Sequence, residues 1–244
     1  MSLKNELRIV EAANSAAKIP GLKRLLSFVY RPYQKFMIRR RRKLFLKNGL
    51  ELLNKFNLCC QENSINYTLA FGTLLGAVRE KGFISHDLDI DVWVWASDRP
   101  KDMEYVLSRY GFKKNHSFIV DNGEKGCEET YVYKGVTIDI FYIYEAVDKL
   151  PYCCDFHSAG DVATWEKSME KYGYVCARRI ELPFVKEREL TMFYNHQFYI
   201  PSNYHRILSL RYGEDYMIPN PGWFNGDNQN IVEWRDKKAI FTFS

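Results

Sequence analysis

Apolar residues recur at helical spacing in several parts of the chain. Between residues 43 and 63, the positions Leu46, Leu50, Leu53 and Phe56 fall on one helical face, and they predict a helix that packs on the core. A second helix is predicted over residues 73–80, with Thr73 at its N-cap. The same spacing predicts helices over residues 100–110, 186–194 and 203–212.

Short apolar or alternating runs between these segments predict β-strands. They lie at residues 67–71, 89–95, 113–120, 130–134, 136–144 and 178–184, and Gly135 makes a hairpin of the fourth and fifth. Residues 145–168 carry mixed signals, and residues 216–223, with Pro219 and Pro221, are predicted to be irregular. Helices and strands in this order indicate an α+β fold, a mixed sheet with helices packed on it.

Basic residues concentrate at the N-terminus. The net charge is +5, but residues 1–50 hold 13 Lys and Arg against two Asp and Glu, with a peak at residues 39–43. Apolar and aromatic residues among these cations suit an anionic membrane surface, although a solvated helix face has the same composition. Pro20 and Pro32 argue against one unbroken helix here. We divide the chain into a basic N-terminal segment, residues 1–42, and a catalytic domain, residues 43–244.

The composition also indicates the cellular compartment. With 46% hydrophobic and 16% aromatic residues the chain is expected to fold, and charges interrupt every run that approaches ~20 apolar residues. The N-terminus does not resemble a secretory signal, and six scattered cysteines favour free thiols in a reducing compartment. We therefore expect a cytoplasmic protein, peripheral on the cytoplasmic face of the membrane if residues 20–43 bind lipid. Cys153, Cys154 and His157 are candidate zinc ligands, but no CxxC pair supports them.

Carboxylates are the clearest chemical signal. Asp87, Asp89 and Asp91 alternate with apolar residues, so on a strand they share one face, where like charges repel unless a cation joins them. Asp139 interrupts a second apolar strand, and a buried carboxylate needs a partner or a metal. If the two strands are neighbours, Asp89, Asp91 and Asp139 converge on one or two Mg²⁺ ions. An arginine at the sheet edge is the alternative partner for Asp139.

The chain lacks the EF-hand calcium loop and the two familiar phosphate-binding motifs. Counted from Asp87, an EF-hand needs glycine at the sixth position and glutamate at the twelfth, where this chain has Val92 and Asp98. Gly72 and Thr73 open the helix that follows a strand, where a ligand phosphate is favoured, but the chain has neither a P-loop nor GxGxxG. Taken alone, the Gly-Thr pair is equally a simple helix cap.

The motifs together are specific. Residues 72–79 (GTLLGAVR), 82–84 (GFI) and 87–91 (DLDID) closely resemble the LicD family, which includes the phosphorylcholine transferases and the fukutin-related proteins. The similarity resumes at residues 138–141 and 200–219 and covers about residues 45–220. It implies a nucleotidyltransferase (polymerase β-like) core with a mostly antiparallel mixed sheet. Where the family commonly has Pro-Trp before the first aspartate, this chain has Ser85-His86.

The resemblance also implies a reaction. A metal-dependent enzyme would move phosphocholine, ribitol phosphate or glycerol phosphate from a CDP-linked donor to a sugar hydroxyl of a glycan or lipid-linked glycan, releasing CMP. Asp89 and Asp91 would be the principal ligands of Mg²⁺ or Mn²⁺ and Asp139 the third, with Asp139 or Asp87 as the base. Besides Gly72 and Thr73, the candidates for contact with the donor phosphates are Arg79, Lys81 and His86.

Two other functions fit parts of the sequence. A nucleotidyltransferase that passes NMP from an NTP to a small acceptor would share the metal site, and only the family-like segment around residues 200–219 separates the two. A non-catalytic nucleic-acid-binding protein would use the cluster at residues 39–43. The acidic strand would repel nucleic-acid phosphates in the absence of metal, so we do not expect nucleic acid as a partner.

Overall fold

A long helix opens the described part of the chain. The computed structural model describes residues 22–147, 149–220 and 230–244, with side chains from residue 32 onward. Helix α1 (Leu22–Glu62) runs through Pro32, so the prediction that this proline breaks the segment is wrong. A proline inside a helix removes one backbone hydrogen bond, and here the helix continues on both sides of it. Pro20 and residues 1–21 lie outside the described residues.

The face of α1 that packs on the core differs in part from the prediction. Leu53 and Phe56 are buried and Leu50 packs against the core, as predicted, whereas Leu46 is 64% exposed. Phe45 is buried instead of Leu46, and Leu52 and the two cysteines at positions 59 and 60 are buried as well. No helix among the described residues is long and apolar enough to cross a membrane.

Eight strands of the described residues form one sheet. A hairpin of β8 (Arg188–Phe193) and β9 (His196–Pro201) forms a second sheet of two strands. The sheet strands are β1 (Tyr67–Leu69), β2 (Asp89–Trp95), β3 (Lys113–Val120), β4 (Gly126–Tyr133), β5 (Val136–Ile143), β6 (Tyr152–His157), β7 (Val175–Glu181) and β10 (Ile231–Phe243). Their order is β1-β2-β5-β4-β3-β10-β7-β6, and every neighbouring pair is antiparallel except β2 and β5. The predicted α+β fold with a mixed, mostly antiparallel sheet is confirmed.

Shorter helices flank this sheet. They are α2 (Phe71–Arg79), α3 (Met103–Ser108), α4 (Trp165–Tyr172) and α5 (Tyr204–Tyr212). The side chains of Asp102 and Thr164 cap α3 and α4, each by accepting a backbone N–H three residues ahead. Gly213 follows the last residue of α5 at a φ of +98°, a conformation that favours glycine. The predicted helices at 73–80, 100–110 and 203–212 thus exist within a few residues of the predicted bounds.

Three segments differ from the sequence prediction or add to it. Residues 186–194, predicted as a helix, form strand β8, because pairing with β9 outweighs the helical preference of their lysine, glutamate and arginine residues. Residues 145–168 contribute β6 and the start of α4. Strand β10, which carried no prediction, lies between β3 and β7. The predicted irregular tail is observed to residue 220, and residues 221–223 lie outside the described residues.

A buried ion cluster stabilises one face of the sheet. Glu129 of β4 is 2% exposed and accepts from Arg99 at 3.0 Å and from Lys114 at 2.9 Å, while the Tyr142 hydroxyl donates to its other oxygen at 2.6 Å. The side chains of Glu129 and Thr130 point to opposite faces of β4, since successive strand residues alternate. This cluster therefore lies on the face opposite Thr130.

The cysteines do not assemble a zinc site. All six are free thiols, as expected, and Cys153 and Cys154 are buried on opposite faces of β6. The Nε2 atom of His157 lies 3.4 Å from a carboxylate oxygen of Glu233. No group of three metal-ligating side chains is formed by these residues within the described part of the chain.

Candidate active site

One cavity of about 580 Å³ collects the acidic residues that the sequence singles out. Asp87, Asp89, Asp91 and Asp139 all line it, together with Gly72. The carboxylates come from two neighbouring strands and from the turn that precedes β2. The predicted meeting of the two acidic strands is therefore what the structure shows.

The parallel register of β2 and β5 produces this meeting. Asp91 lies directly opposite Asp139, and Asp89 lies two residues earlier on the same face of β2. Asp87 precedes the strand, and its backbone N–H donates to the carbonyl of Ile84 at 3.1 Å. No ion pair joins Asp139 to an arginine within the described residues; instead the Thr130 hydroxyl donates to its Oδ1 at 2.6 Å.

Burial and mutual repulsion favour the protonated carboxyls. Burial raises the pKa of Asp91 well above its usual value, and the charges of Asp89, Asp139 and Asp87 raise it further. The pKa of Asp87 is raised to about 7, first by burial and then by the charge of Asp89. Burial likewise raises the pKa values of Asp89 and Asp139. A cation in the cavity would offset the cost of ionising this group.

Cationic side chains border the carboxylates. Arg79 has an exposed fraction of 11%, pairs with Glu80 at 2.9 Å and lines the cavity, so it is not a solvated charge at a helix end. His86 also lines the cavity, and its contact with a donor phosphate stays a prediction. Arg211 of α5 is buried, lines the cavity and lies 5.3 Å from the centre of the Phe71 ring.

Arg41 of α1 adds a further positive charge. Its charge lowers the pKa values of Asp89 and Asp139, which opposes the effect of burial. One arginine of the basic run at residues 39–43 thus acts on the acidic cavity, and its neighbours Arg40 and Arg42 are exposed. No sequence pattern indicates this role, because a run of five basic residues does not distinguish its members.

Two residues predicted to contact the donor phosphates, Thr73 and Lys81, are not among the residues that line the cavity. Thr73 does not cap α2, whose N-cap is Ala70; its hydroxyl is buried and accepts the backbone N–H of Asp91 at 3.0 Å. It therefore ties α2 to β2. Lys81 is exposed and does not line the cavity, and its carbonyl accepts the backbone N–H of Tyr194.

Gly72 keeps a place beside the acidic residues. A Cβ atom at this position would stand 3.4 Å from Oδ2 of Asp87. Such a contact is tighter than most, so a larger residue would press on the carboxylate. The glycine of the Gly-Thr pair thus contributes room at the cavity, while the threonine contributes a structural bond.

Several lining residues were missed by the sequence prediction. The cavity is also lined by Asp155 of β6, which forms an ion pair with Arg178, and by the aromatic residues Phe71, Phe141, Tyr212 and Tyr216. Glu128 of β4 acts from outside the lining, and its charge raises the pKa of Asp91. These residues come from distant parts of the chain, and no spacing between them marks the site in the sequence.

The donor set suits Mg²⁺ or Mn²⁺. Oxygen ligands are the kind that these ions prefer, and Mg²⁺ is typically held by one or two carboxylates, with waters and substrate phosphates completing its shell. Within the described residues no three His, Cys, Asp or Glu side chains form a group that could hold a metal ion, so waters and substrate phosphates would have to supply part of its shell. The chemistry of Asp89, Asp91 and Asp139, which line one cavity, fits such an ion.

Known proteins resemble this chain over parts of their length. A lipopolysaccharide cholinephosphotransferase LicD from Haemophilus influenzae is 49% identical over 45 residues, which are 18% of this chain and 17% of the relative. Ribitol-5-phosphate transferases FKTN from Mus musculus and Macaca fascicularis are 29% identical over 108 residues and 23% identical over 180 residues. These matches cover 44% and 73% of this chain, but only 23% and 35% of the relatives.

The chain thus spans about a third or less of the length of these curated relatives. The family match is broader with respect to this chain. The sequence model described as "LicD/FKTN/FKRP, nucleotidyltransferase domain" matches residues 64–203, which is more than half of the chain and includes all five aspartates that line the cavity. The chain belongs to the LicD/FKTN/FKRP nucleotidyltransferase domain family.

Proposed function

We propose that this protein is a metal-dependent transferase that moves a phosphorylated alcohol from a CDP-linked donor to a sugar hydroxyl of a glycan. The alcohol phosphate is phosphocholine, ribitol phosphate or glycerol phosphate, and CMP is the leaving group. The observation that carries the proposal is one cavity that is lined by five aspartates and two arginines. The names of the LicD and FKTN relatives support transfer of choline phosphate or ribitol phosphate.

Asp89, Asp91 and Asp139 would hold the metal ion, because they line the cavity at neighbouring positions of β2 and β5. A bound Mg²⁺ or Mn²⁺ would neutralise charge on the donor diphosphate and lower the pKa of the acceptor hydroxyl. Arg79 and Arg211 line the same cavity and would bind the phosphate oxygens of the donor. Together these residues would hold the phosphorus that bears the alcohol against the acceptor.

Asp87 is the best-placed base. It lines the cavity but is not among the three proposed ligands, and its pKa is raised to about 7, which suits a group that accepts a proton near neutral pH. The hydroxyl oxygen of the acceptor forms a bond to the phosphorus, the bond from phosphorus to the CMP oxygen breaks, and Asp87 takes the hydroxyl proton. The products are a phosphodiester and CMP.

A donor screen tests the proposal. The protein would be incubated with CDP-choline, CDP-ribitol, CDP-glycerol and plain NTPs in Mg²⁺, with sugar acceptors, and CMP and pyrophosphate would be measured. We expect CMP from a CDP-alcohol, loss of that product in EDTA and loss in Asp91→Asn. The matched control is Glu170→Gln, an exposed residue of α4, which should retain the rate. Pyrophosphate from an NTP would favour the NMP-transfer alternative, and activity that survives EDTA would contradict the metal.

We also propose that the basic part of α1 binds an anionic membrane surface, which would place the enzyme on the cytoplasmic face of a membrane beside a lipid-linked acceptor. Phe36 and Ile38 are 61% and 53% exposed, and Arg39, Arg40 and Arg42 are exposed among them. Exposed apolar and cationic residues on one helix suit insertion at the level of anionic headgroups. Each cation there contributes about 1 kcal/mol.

Flotation with liposomes tests this second proposal. Changing Arg39, Arg40 and Arg42 together to glutamine should weaken binding to anionic vesicles roughly 100-fold, since about 3 kcal/mol is removed. CMP formation from a soluble donor should persist, because Arg41, which acts on the carboxylates, is retained. A control that changes the exposed Lys101 to glutamine should bind as the wild type does. Equal binding of the triple variant would refute the membrane role.

A further inference from the structure

A row of polar residues crosses four neighbouring strands of the sheet. Asp91 of β2 is opposite Asp139 of β5, Asp139 is opposite Thr130 of β4, and Thr130 is opposite His116 of β3. The Thr130 hydroxyl donates to Oδ1 of Asp139 at 2.6 Å, and Nε2 of His116 lies 3.2 Å from the same hydroxyl oxygen. A continuous chain of hydrogen bonds thus leads from a buried histidine to a proposed metal ligand.

The surroundings of His116 define which of its nitrogens carries the proton. The ring is 7% exposed and is enclosed by aromatic rings of Phe118, Trp165 and Phe241 at centroid distances of 5.3 Å, 5.4 Å and 5.7 Å. Its Nδ1 atom is buried and has no hydrogen-bond partner within the described residues. A proton on Nδ1 would leave a buried donor unsatisfied, whereas a bare acceptor there costs less.

This tautomer determines which group donates in each hydrogen bond from His116 to Asp139. With its proton on Nε2, His116 donates to the Thr130 oxygen, and the single hydroxyl proton of Thr130 is then directed to Asp139. Burial lowers the pKa of His116 to about 4, so the ring is neutral at neutral pH and one tautomer is retained. The Oδ1 atom of Asp139 is therefore engaged, and its Oδ2 atom is left for a ligand in the cavity.

We infer that His116 is a positioning residue, which acts through the Thr130 hydroxyl to fix the orientation of the Asp139 carboxylate for a cation. The inference rests on the proposed function, because it takes Asp139 to be a metal ligand. Hydrogen-bonded residues behind a ligand commonly change metal affinity by about 10-fold to 100-fold. His116 was not among the candidates read from the sequence, because a lone histidine in a strand belongs to no motif.

The first test measures Mn²⁺ affinity by calorimetry in four variants. His116→Phe keeps an aromatic ring in the pocket but removes the donor, and Thr130→Val removes the hydroxyl with little change in shape. Each should weaken binding roughly 10-fold. The double variant should lose about as much as either single one, because both changes break one chain. His116→Gln, which retains a side-chain N–H, should recover most of the affinity.

Several results would overturn the role of His116. A purely structural histidine would lower the melting temperature of His116→Phe without a change in Mn²⁺ affinity, and independent effects would make the double variant weaker by roughly 100-fold. If one single variant fails to fold, the other and His116→Gln still decide the question. If His116→Gln binds Mn²⁺ no more tightly than His116→Phe does, the proposed hydrogen bond from His116 to Thr130 is also contradicted.

The second test is independent of metal. Nitrogen-15 NMR of the histidine rings distinguishes the two neutral tautomers, and His116 should carry its proton on Nε2 in the wild type. A proton on Nδ1 would overturn the inference, whatever the metal affinities are. If the wild type binds no Mn²⁺, the metal assignment of the proposed function fails, and His116 as a positioning residue for a cation fails with it. Mn²⁺ binding lost in Asp139→Asn but unaffected in Thr130→Val would refute the inference and leave the proposed function intact.

Discussion

Replacing Asp87 with asparagine should stabilise the metal-free protein at alkaline pH. The pKa of this carboxyl is raised from 3.8 to about 7, mainly by burial and then by the charge of Asp89. Because the folded-state pKa lies above the unfolded value, the contribution of Asp87 to stability is fully present below about pH 4 and is lost as the pH rises through about 7. Asparagine cannot ionise and avoids this loss.

The size of the effect follows from the shift. About three pKa units at about 1.4 kcal/mol each give roughly 4 kcal/mol at about pH 8, and the linkage relation leaves only about 1 kcal/mol at about pH 4.5. The shape of the residue is kept, and the amide oxygen can still accept the backbone N–H of Ile84. Neutralising Asp87 also relieves Asp91, whose pKa its charge raises, so the gain has the same sign throughout the cluster.

Urea unfolding in EDTA at the two pH values measures this effect. The free energy of unfolding of Asp87→Asn should exceed that of the wild type by roughly 4 kcal/mol at about pH 8 and by much less at about pH 4.5. The transfer rate should fall roughly 100-fold or more if Asp87 is the base. Glu170→Gln, an exposed charge removed elsewhere, controls for net charge. The reasoning is refuted if Asp87→Asn is no more stable than the wild type at about pH 8, or gains equally at both pH values.

Three further changes test other parts of the structure. Glu129→Gln should lower the free energy of unfolding by about 1.5–3 kcal/mol, because two partly exposed cations lose the charge of the buried carboxylate that they both contact; urea titration checks this, and an unchanged midpoint would contradict it. Gly76→Ala should lower the free energy of unfolding, measured in urea, by about 1–3 kcal/mol, since the new Cβ would stand 2.5 Å from the Gly82 carbonyl oxygen. At the exposed Gly173 a new Cβ would meet nothing within 4 Å, and the cost of Gly173→Ala would come from its φ of +74° alone. The pKa of His116 is lowered by burial to about 4, so its contribution is present above about pH 6.5 and is lost as the pH falls through about 4. Wild-type stability should therefore drop by about 3 kcal/mol more than that of His116→Phe over this range, and parallel pH profiles of the two proteins would exclude it.

The acidic strands were predictable because their pattern is local. Alternation of carboxylates and apolar residues defines β2 without knowledge of any neighbour, and a lone aspartate in an apolar run marks β5. The sequence does not show whether β2 and β5 are neighbours, because the pairing of Asp91 with Asp139 joins residues 48 positions apart. The convergence of these carboxylates was therefore predicted only for the case that the two strands pair. Sequence periodicity supplies the faces of strands, while the partners of strands depend on the whole chain.

The errors have the same origin. Residues 186–194 contain helix-forming charged residues, and only the pairing of β8 with β9 makes them a strand. Leu46 has the spacing of a core residue but is exposed, because α1 turns the face that carries Phe45 to the core. Arg211 reaches the cavity from a helix far along the chain, and nothing in its neighbours distinguishes it from an ordinary surface arginine.

The position of β10 has a practical consequence for anyone who defines a fragment of this protein. The family match ends at residue 203, yet the strand at residues 231–243 lies between β3 and β7 and pairs with both. A fragment cut at the boundary of the match would expose the edges of β3 and β7, and the bridge between Tyr144 and Tyr152 would have to hold β6 and β7 to the other strands. Asp155 and Ile180, which line the cavity, belong to that pair of strands. A fragment that keeps the cavity wall intact therefore extends through the last strand, well beyond the end of the family match.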